Sequence, residues 1–213
     1  MTGAVTVVDY GIGNLLSVQR AFEHCDATVT VTSDPSIIAR ADRLVVPGVG
    51  AFGGCVGELR DRNLIDSILE FTAKGRPFLG ICVGMQMMLD ISEEFGEHAG
   101  LGLIKGRVSA IPTTDSAGAP HKIPFIGWAG LERPGTAEWS QTILADTRPG
   151  EAVYFVHSFA AHPVSQSARL ADYFYDGAPI VAAIQSGTHF GCQFHPEKSG
   201  EVGLKIVRRF STQ

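Results

Sequence analysis

Phe78-Leu-Gly-Ile-Cys-Val-Gly-Met-Gln86 decides how this chain folds, because it reads as a strand that ends on a cysteine and turns at once into a helix. Pro77, Phe78, Leu79 and Ile81 form the short apolar run of a buried parallel strand, and Met85, Met88, Leu89 and Ile91 recur at helical spacing. Gly80 and Gly84 bracket Cys82 in the G-x-nucleophile-x-G pattern of a nucleophile elbow. One glycine admits neighbouring backbone, the other lets the helix begin without a clash, and the residue between them is held in a strained turn. A cysteine at a helix start is favoured as thiolate. At this point two readings stand: a nucleophile, or a buried cysteine in an ordinary strand-helix crossover.

Upstream, the same alternation repeats. Ala4 to Asp9 is a strand, and Tyr10-Gly-Ile-Gly-Asn14 turns into a helix with Leu15, Val18, Phe22 and Cys25 inward. The dinucleotide spacing G-x-G-x-x-G fails there, since Leu16 stands where the third glycine belongs. Thr28 to Thr32 is a second strand, and Ser33-Asp34-Pro35 caps the next helix with proline in its first turn. Leu44 to Val46 is a third strand, leading into Pro47-Gly-Val-Gly50. A helix pair broken around Arg62-Asn63 carries Leu59, Leu64, Ile65, Ile68, Leu69 and Phe71 inward, and Gly75-Arg-Pro77 stops it. Four β-α alternations predict an α/β fold with a doubly wound, mainly parallel central sheet and helices on both faces. Ligands bind such sheets beyond the carboxyl ends of the strands, where Gly48 to Gly50 and Cys82 both lie.

Beyond Gly102 the chain becomes β-rich. Strands are predicted at Arg107 to Ile111, Ile123 to Ile126, Ala152 to Val156, Arg169 to Phe174, Ile180 to Ile184 and His189 to Phe194. Thr113 to Pro120 is a polar loop, and Gly203 to Phe210 is a closing helix with Leu204, Val207 and Phe210 inward. No linker separates two units, so residues 1–213 are read as one domain.

The 213 residues, 45% of them hydrophobic, suffice for a full core. A net charge of -5 without a basic run gives no footprint for nucleic acid. No apolar stretch is long enough for a bilayer, so no membrane association is expected. Cys25, Cys55, Cys82 and Cys192 are widely spaced, which together with a strand-like start predicts a reducing, cytoplasmic setting.

A cysteine nucleophile needs a base, and the seven histidines are the candidates. In Gln193-Phe-His-Pro-Glu197, His195 and Glu197 are two residues apart on what reads as an extended segment, so both side chains leave one face. Glu197 would orient the imidazole and leave its other nitrogen for the thiol. The alternative is a surface turn with an incidental carboxylate. The oxyanion formed by attack needs donors, for which the N–H of Val83 and one from the Pro47 to Gly50 segment, at Gly50, are the candidates. His189, Cys192 and His195 are spaced as metal ligands could be, but no second pair completes a tetrahedral set, so no metal is predicted. Cys25, Cys55 and Cys192 read as packing residues.

With Gly80-Ile-Cys-Val-Gly-Met-Gln86 and Phe194-His-Pro-Glu197 in hand, nearly the whole chain resembles a class I, triad-type glutamine amidotransferase. Asp9 to Asn14, Pro47 to Phe52, Tyr154-Phe-Val-His-Ser158 and His195 to Ser199 are similar, within that class, to the glutaminase subunits of imidazole glycerol phosphate synthases in histidine biosynthesis. The resemblance implies a Cys82, His195, Glu197 triad acting on L-glutamine, with Gln86, Glu94 and Ser158 at glutamine-binding positions. It implies a heterodimer in which Asn14, Trp128, Tyr154 and Lys198 face a (β/α)8-barrel cyclase that receives the ammonia, and it implies no cofactor.

Two positions depart from that pattern, near the expected partner surface. Phe125 stands where the family more often has histidine, and Ala129 where it more often has asparagine. Paralogues that supply ammonia to a sugar amidotransferase in surface-polysaccharide pathways are the runner-up reading. A free-standing cysteine hydrolase or peptidase is the rival of another class.

Overall fold

Strands and helices alternate through the first half of the computed structural model, which describes residues 3–115 and 118–213. β1 (Ala4–Val8) leads into α1 (Leu15–His24), β2 (Thr28–Thr32) into α2 (Pro35–Arg40), and β3 (Leu44–Gly48) into α3 (Phe52–Asp61) and α4 (Ile65–Ala73). Asp34 caps α2 by accepting the Ser36 N–H at 2.7 Å, with Pro35 in the first turn. β4 (Phe78–Cys82) ends on the cysteine and passes into α5 (Val83–Gln86).

The second half supplies β5 (Ile91–Ser92), β6 (His98–Ala99), β7 (Gly106–Ala110), β8 (Phe125–Gly130), β9 (Ala152–His157) and β10 (Phe159–Pro163). β11 (Arg169–Tyr175), β12 (Ala178–Ser186), β13 (His189–Cys192) and α6 (Gly200–Ser211) complete it. The predicted polar loop includes residues 116 and 117, which lie outside the described residues, and its ends are joined by a bridge between Thr114 and Pro120.

The main sheet runs β11-β12-β13-β4-β3-β1-β2, parallel from β13 to β2 and antiparallel where β12 meets its neighbours. From β1 the chain steps outward to β2, then returns past β1 to β3 and β4. Right-handed crossovers therefore send α1 to one face and α2 to α4 to the other. The packing agrees, with α1 against α6 and α2 against α4. Smaller sheets, β10-β7-β5-β6 and β8-β9, stand beside the main one.

Three predictions change. The helix after Cys82 is a single turn, because the carbonyls of Met87, Met88 and Leu89 accept N–H groups of the 101–104 segment and cannot propagate it. Met85, Met88 and Leu89 are buried all the same, while Ile91 belongs to β5. Leu69 faces outward at 36% exposure, because the buried stripe of α4 is completed by Ser67 and Thr72, whose hydroxyls bond to helix carbonyls. In α6 the inward set is Ile206, Val207 and Phe210, with Leu204 half-buried.

Candidate active site

Cys82 sits in the turn with φ 56° and ψ −113°, a region that residues with side chains avoid at roughly 1–3 kcal/mol. Its surroundings enforce it. A Cβ on Gly84 would collide with the Val46 carbonyl, and one on Gly80 would stand 2.5 Å from the Gly84 oxygen. The register pairs Gly48 with Cys82, so the end of β3 lies beside the thiol. With α5 reduced to one turn, the thiol draws little from a helix dipole, and its partners must come from side chains.

The imidazole is built from the far end of the chain. The His195 N–H donates to the Tyr154 carbonyl at 3.0 Å, and the Ser199 hydroxyl donates to the His195 carbonyl at 2.6 Å. His195 Nδ1 is 2.8 Å from Glu197 Oε1, both side chains being 2% exposed. The segment is not extended as the spacing predicts: Pro196 to Lys198 form a 3-10 turn, and Glu197 reaches its histidine by curling back. Burial opposes the charged ring, but the Cys82 sulfur and Glu197 outweigh it and raise His195 to about 9. His195 Nε2 itself is buried without a hydrogen-bond partner, as is Glu197 Oε2. The arrangement thus favours the charged form of the imidazole.

A cavity of about 260 Å³ joins these groups and is lined by Cys82, His195, Gly50, Val83, Gln86, Glu94 and Ser158, all predicted from sequence, together with Val49, Pro124, Val156, His157 and Phe159. Glu94 Oε2 accepts the Phe52 N–H at 2.6 Å and so ties the cavity wall to α3. The Val49 carbonyl accepts the Cys55 thiol at 3.4 Å, and the Tyr10 hydroxyl donates to the Pro47 carbonyl at 2.5 Å. His157 is kept neutral: burial lowers it to about 4, while its ring bonds the Phe159 carbonyl and the Tyr173 hydroxyl, each at 2.8 Å. Gln193, to which sequence reasoning gave no role, is fully buried beside the sulfur. A larger groove of about 790 Å³ near Arg133, Arg169 and Asp172 is lined by neither cysteine nor histidine. Among the described residues no cluster of His, Cys, Asp and Glu could hold a metal ion.

The family model of class-I glutamine amidotransferases matches residues 6–213. The chain belongs to that family. This amidotransferase is 53% identical over 208 residues to "Imidazole glycerol phosphate synthase subunit HisH 1" of Legionella pneumophila (strain Lens), covering 97% of this chain and 98% of that one. It is 43% identical over 211 residues to the HisH subunit of Syntrophotalea carbinolica, covering 97% and 98%. Its fold matches the "Structure of PurLQS from Thermotoga maritima" with TM-score 0.72 at 21% identity, over 99% of this chain and 98% of that one.

The amidotransferase presents the residues assigned to a partner on neighbouring elements. Trp128 and Tyr154 are paired across β8 and β9 with ring centroids 5.9 Å apart, and Trp128 is 57% exposed. Lys198 is exposed on the 3-10 turn, against which both α1 and β9 pack, and Asn14 precedes α1. Phe125 and Ala129 are on the other face of β8, against the core, where Phe125 stacks on Tyr173 at 5.0 Å. Among the described residues no helix is long and apolar enough to cross a membrane.

Proposed function

We propose that this chain is the glutaminase subunit of an imidazole glycerol phosphate synthase, which hydrolyses L-glutamine and passes the ammonia to a (β/α)8-barrel cyclase. One observation carries the reading: Cys82 and His195, far apart in sequence, line one cavity sized for a small substrate, and Glu197 holds His195 from behind. The Cys82 sulfur attacks the carbonyl carbon of the glutamine side-chain amide and forms a C–S bond. His195, protonated, gives its proton to the amide nitrogen as the C–N bond breaks and ammonia leaves. It then takes a proton from water, whose oxygen attacks the thioester; the C–S bond breaks, releasing glutamate and restoring the cysteine. Glu197 holds the ring through both halves of the cycle.

The Val83 N–H, at the start of α5 where helix donors lack internal acceptors, is suited to the oxyanion. The Gly50 N–H is suited to be the second donor: the Val49 carbonyl turns to Cys55, and a planar trans peptide points the next N–H the opposite way. Gln86, Glu94 and Ser158 would bound the glutamine.

The partner assignment draws on the outward face of β8, where Trp128 and Ile126 are each 57% exposed. The departures at Phe125 and Ala129 lie on the inward face and leave that surface unaltered. The match over residues 6–213 supports a single amidotransferase domain, and four buried free cysteines suit a reducing cytoplasm. Glutamine turnover measured alone and with the cognate barrel protein tests the coupled reading. Stimulation by the barrel is the expected result, and full activity in isolation would sink it. Unchanged ammonia release from Cys82→Ala would remove the nucleophile assignment.

A further inference from the structure

We infer that Gln193 is a further catalytic residue, its side-chain amide donating a hydrogen bond to the Cys82 sulfur and stabilising it whenever it carries negative charge. The inference rests on the reading of Cys82 as nucleophile. Gln193 Nε2 lies 3.7 Å from Cys82 Sγ, within reach for a sulfur acceptor, and the residue is 0% exposed.

Which end of the amide faces the sulfur follows from its neighbours. Gln86 Nε2 is 3.0 Å from the Phe159 carbonyl, a group that can only accept, and that contact fixes the nitrogen end of Gln86. The same nitrogen is 3.0 Å from Gln193 Oε1, so Gln193 receives on its oxygen and has its nitrogen left for the sulfur. The Phe159 carbonyl also takes His157 Nδ1, which anchors the chain of bonds at its far end. Besides the His195 imidazole, the sulfur meets the Val156 carbonyl at 4.0 Å, an acceptor that offers nothing to an anion.

A neutral thiol is a weak acceptor and a thiolate a strong one. The bond therefore strengthens when Cys82 ionises, weakens in the thioester, and strengthens again as the C–S bond breaks and the electron pair returns to sulfur. Binding of that kind favours the charged states over the bound ground state. Gln193 does not titrate. The titratable groups facing the sulfur are His195 with Glu197 behind it, Tyr10 and Cys55 on the β1 and α3 side, and Glu94 and His157 across the cavity.

The test is the pH dependence of Cys82 alkylation by iodoacetamide in the full chain, with Cys82→Ala as background for the other cysteines. Gln193→Met is expected to raise the midpoint by about one pH unit, and Gln193→Glu by more. Glutamine hydrolysis with the barrel partner should lose about tenfold in kcat, with KM within about twofold. A role confined to packing would lower stability and leave the alkylation midpoint in place, and that result in a folded Gln193→Met chain overturns the inference. Should both variants fail to fold, the wild-type chain decides: its isotope-labelled Gln193 amide signals must move with the Cys82 midpoint, and signals that stay put overturn it. A wild-type complex that releases no ammonia from glutamine refutes the functional reading separately, since the alkylation midpoint is read without glutamine.

Discussion

Glu197 spends one oxygen on His195 and leaves the other buried without a partner, so its charge is matched mainly by the imidazolium it supports. Together with the Cys82 sulfur, which raises His195 most, that pairing has a signed consequence for stability. His195 is raised from 6.5 to about 9, so its contribution is complete below the lower value and is lost as pH rises through the upper one. The size is on the order of 3 kcal/mol at most. Glu197→Gln should lower the melting temperature near neutral pH, with a gap from wild type that closes at higher pH; a gap independent of pH would refute this. His157 has the opposite sign. Held down at about 4, it stabilises the fold above 6.5 and ceases to do so as pH falls through 4, so acid unfolding followed by circular dichroism should steepen in that window and flatten in His157→Gln. Cys82, His195 and Glu197 were singled out from spacing, because the residue types proposed for nucleophile, base and orienter are distinctive. Gln193 stood in the same motif and was silent, since an amide declares its role only through what surrounds it.

In the elbow the strand and the turn with its glycines stand where the sequence places them although the helix is cut to one turn, and there the smallest substitutions should matter most. Gly84→Ala would push a methyl into the Val46 carbonyl, an overpacking expected to cost about 1–3 kcal/mol or more in urea denaturation. Gly50 is a contrast: nothing lies within 4 Å of a Cβ there, but its φ of 88° disfavours one. Gly50→Ala should lose only about 1 kcal/mol of stability while glutamine hydrolysis falls by about a hundredfold, as for a lost oxyanion donor. Equal damage from both substitutions would argue that Gly50 is there for packing. The β-α alternation was legible because strand and helix periods differ. β5 and β6 were not, since two-residue strands have no period, and the length of α5 depended on N–H groups arriving from the 101–104 segment.

For the whole molecule, the informative surface is the outer face of β8. Trp128→Asp should lower barrel-stimulated turnover by at least about tenfold at limiting partner, with melting unchanged within the small range usual for surface sites. Wild-type stimulation in that variant would move the partner surface elsewhere. The parallel sheet could be foreseen from its first half, whereas the addition of β13 to the edge of β4 could not, because long-range pairing leaves no local mark. That late pairing also orders events during synthesis. Cys82 is set by early strands, but His195, its proposed base, follows β13, so the proposed pair can form only once the sheet is almost finished.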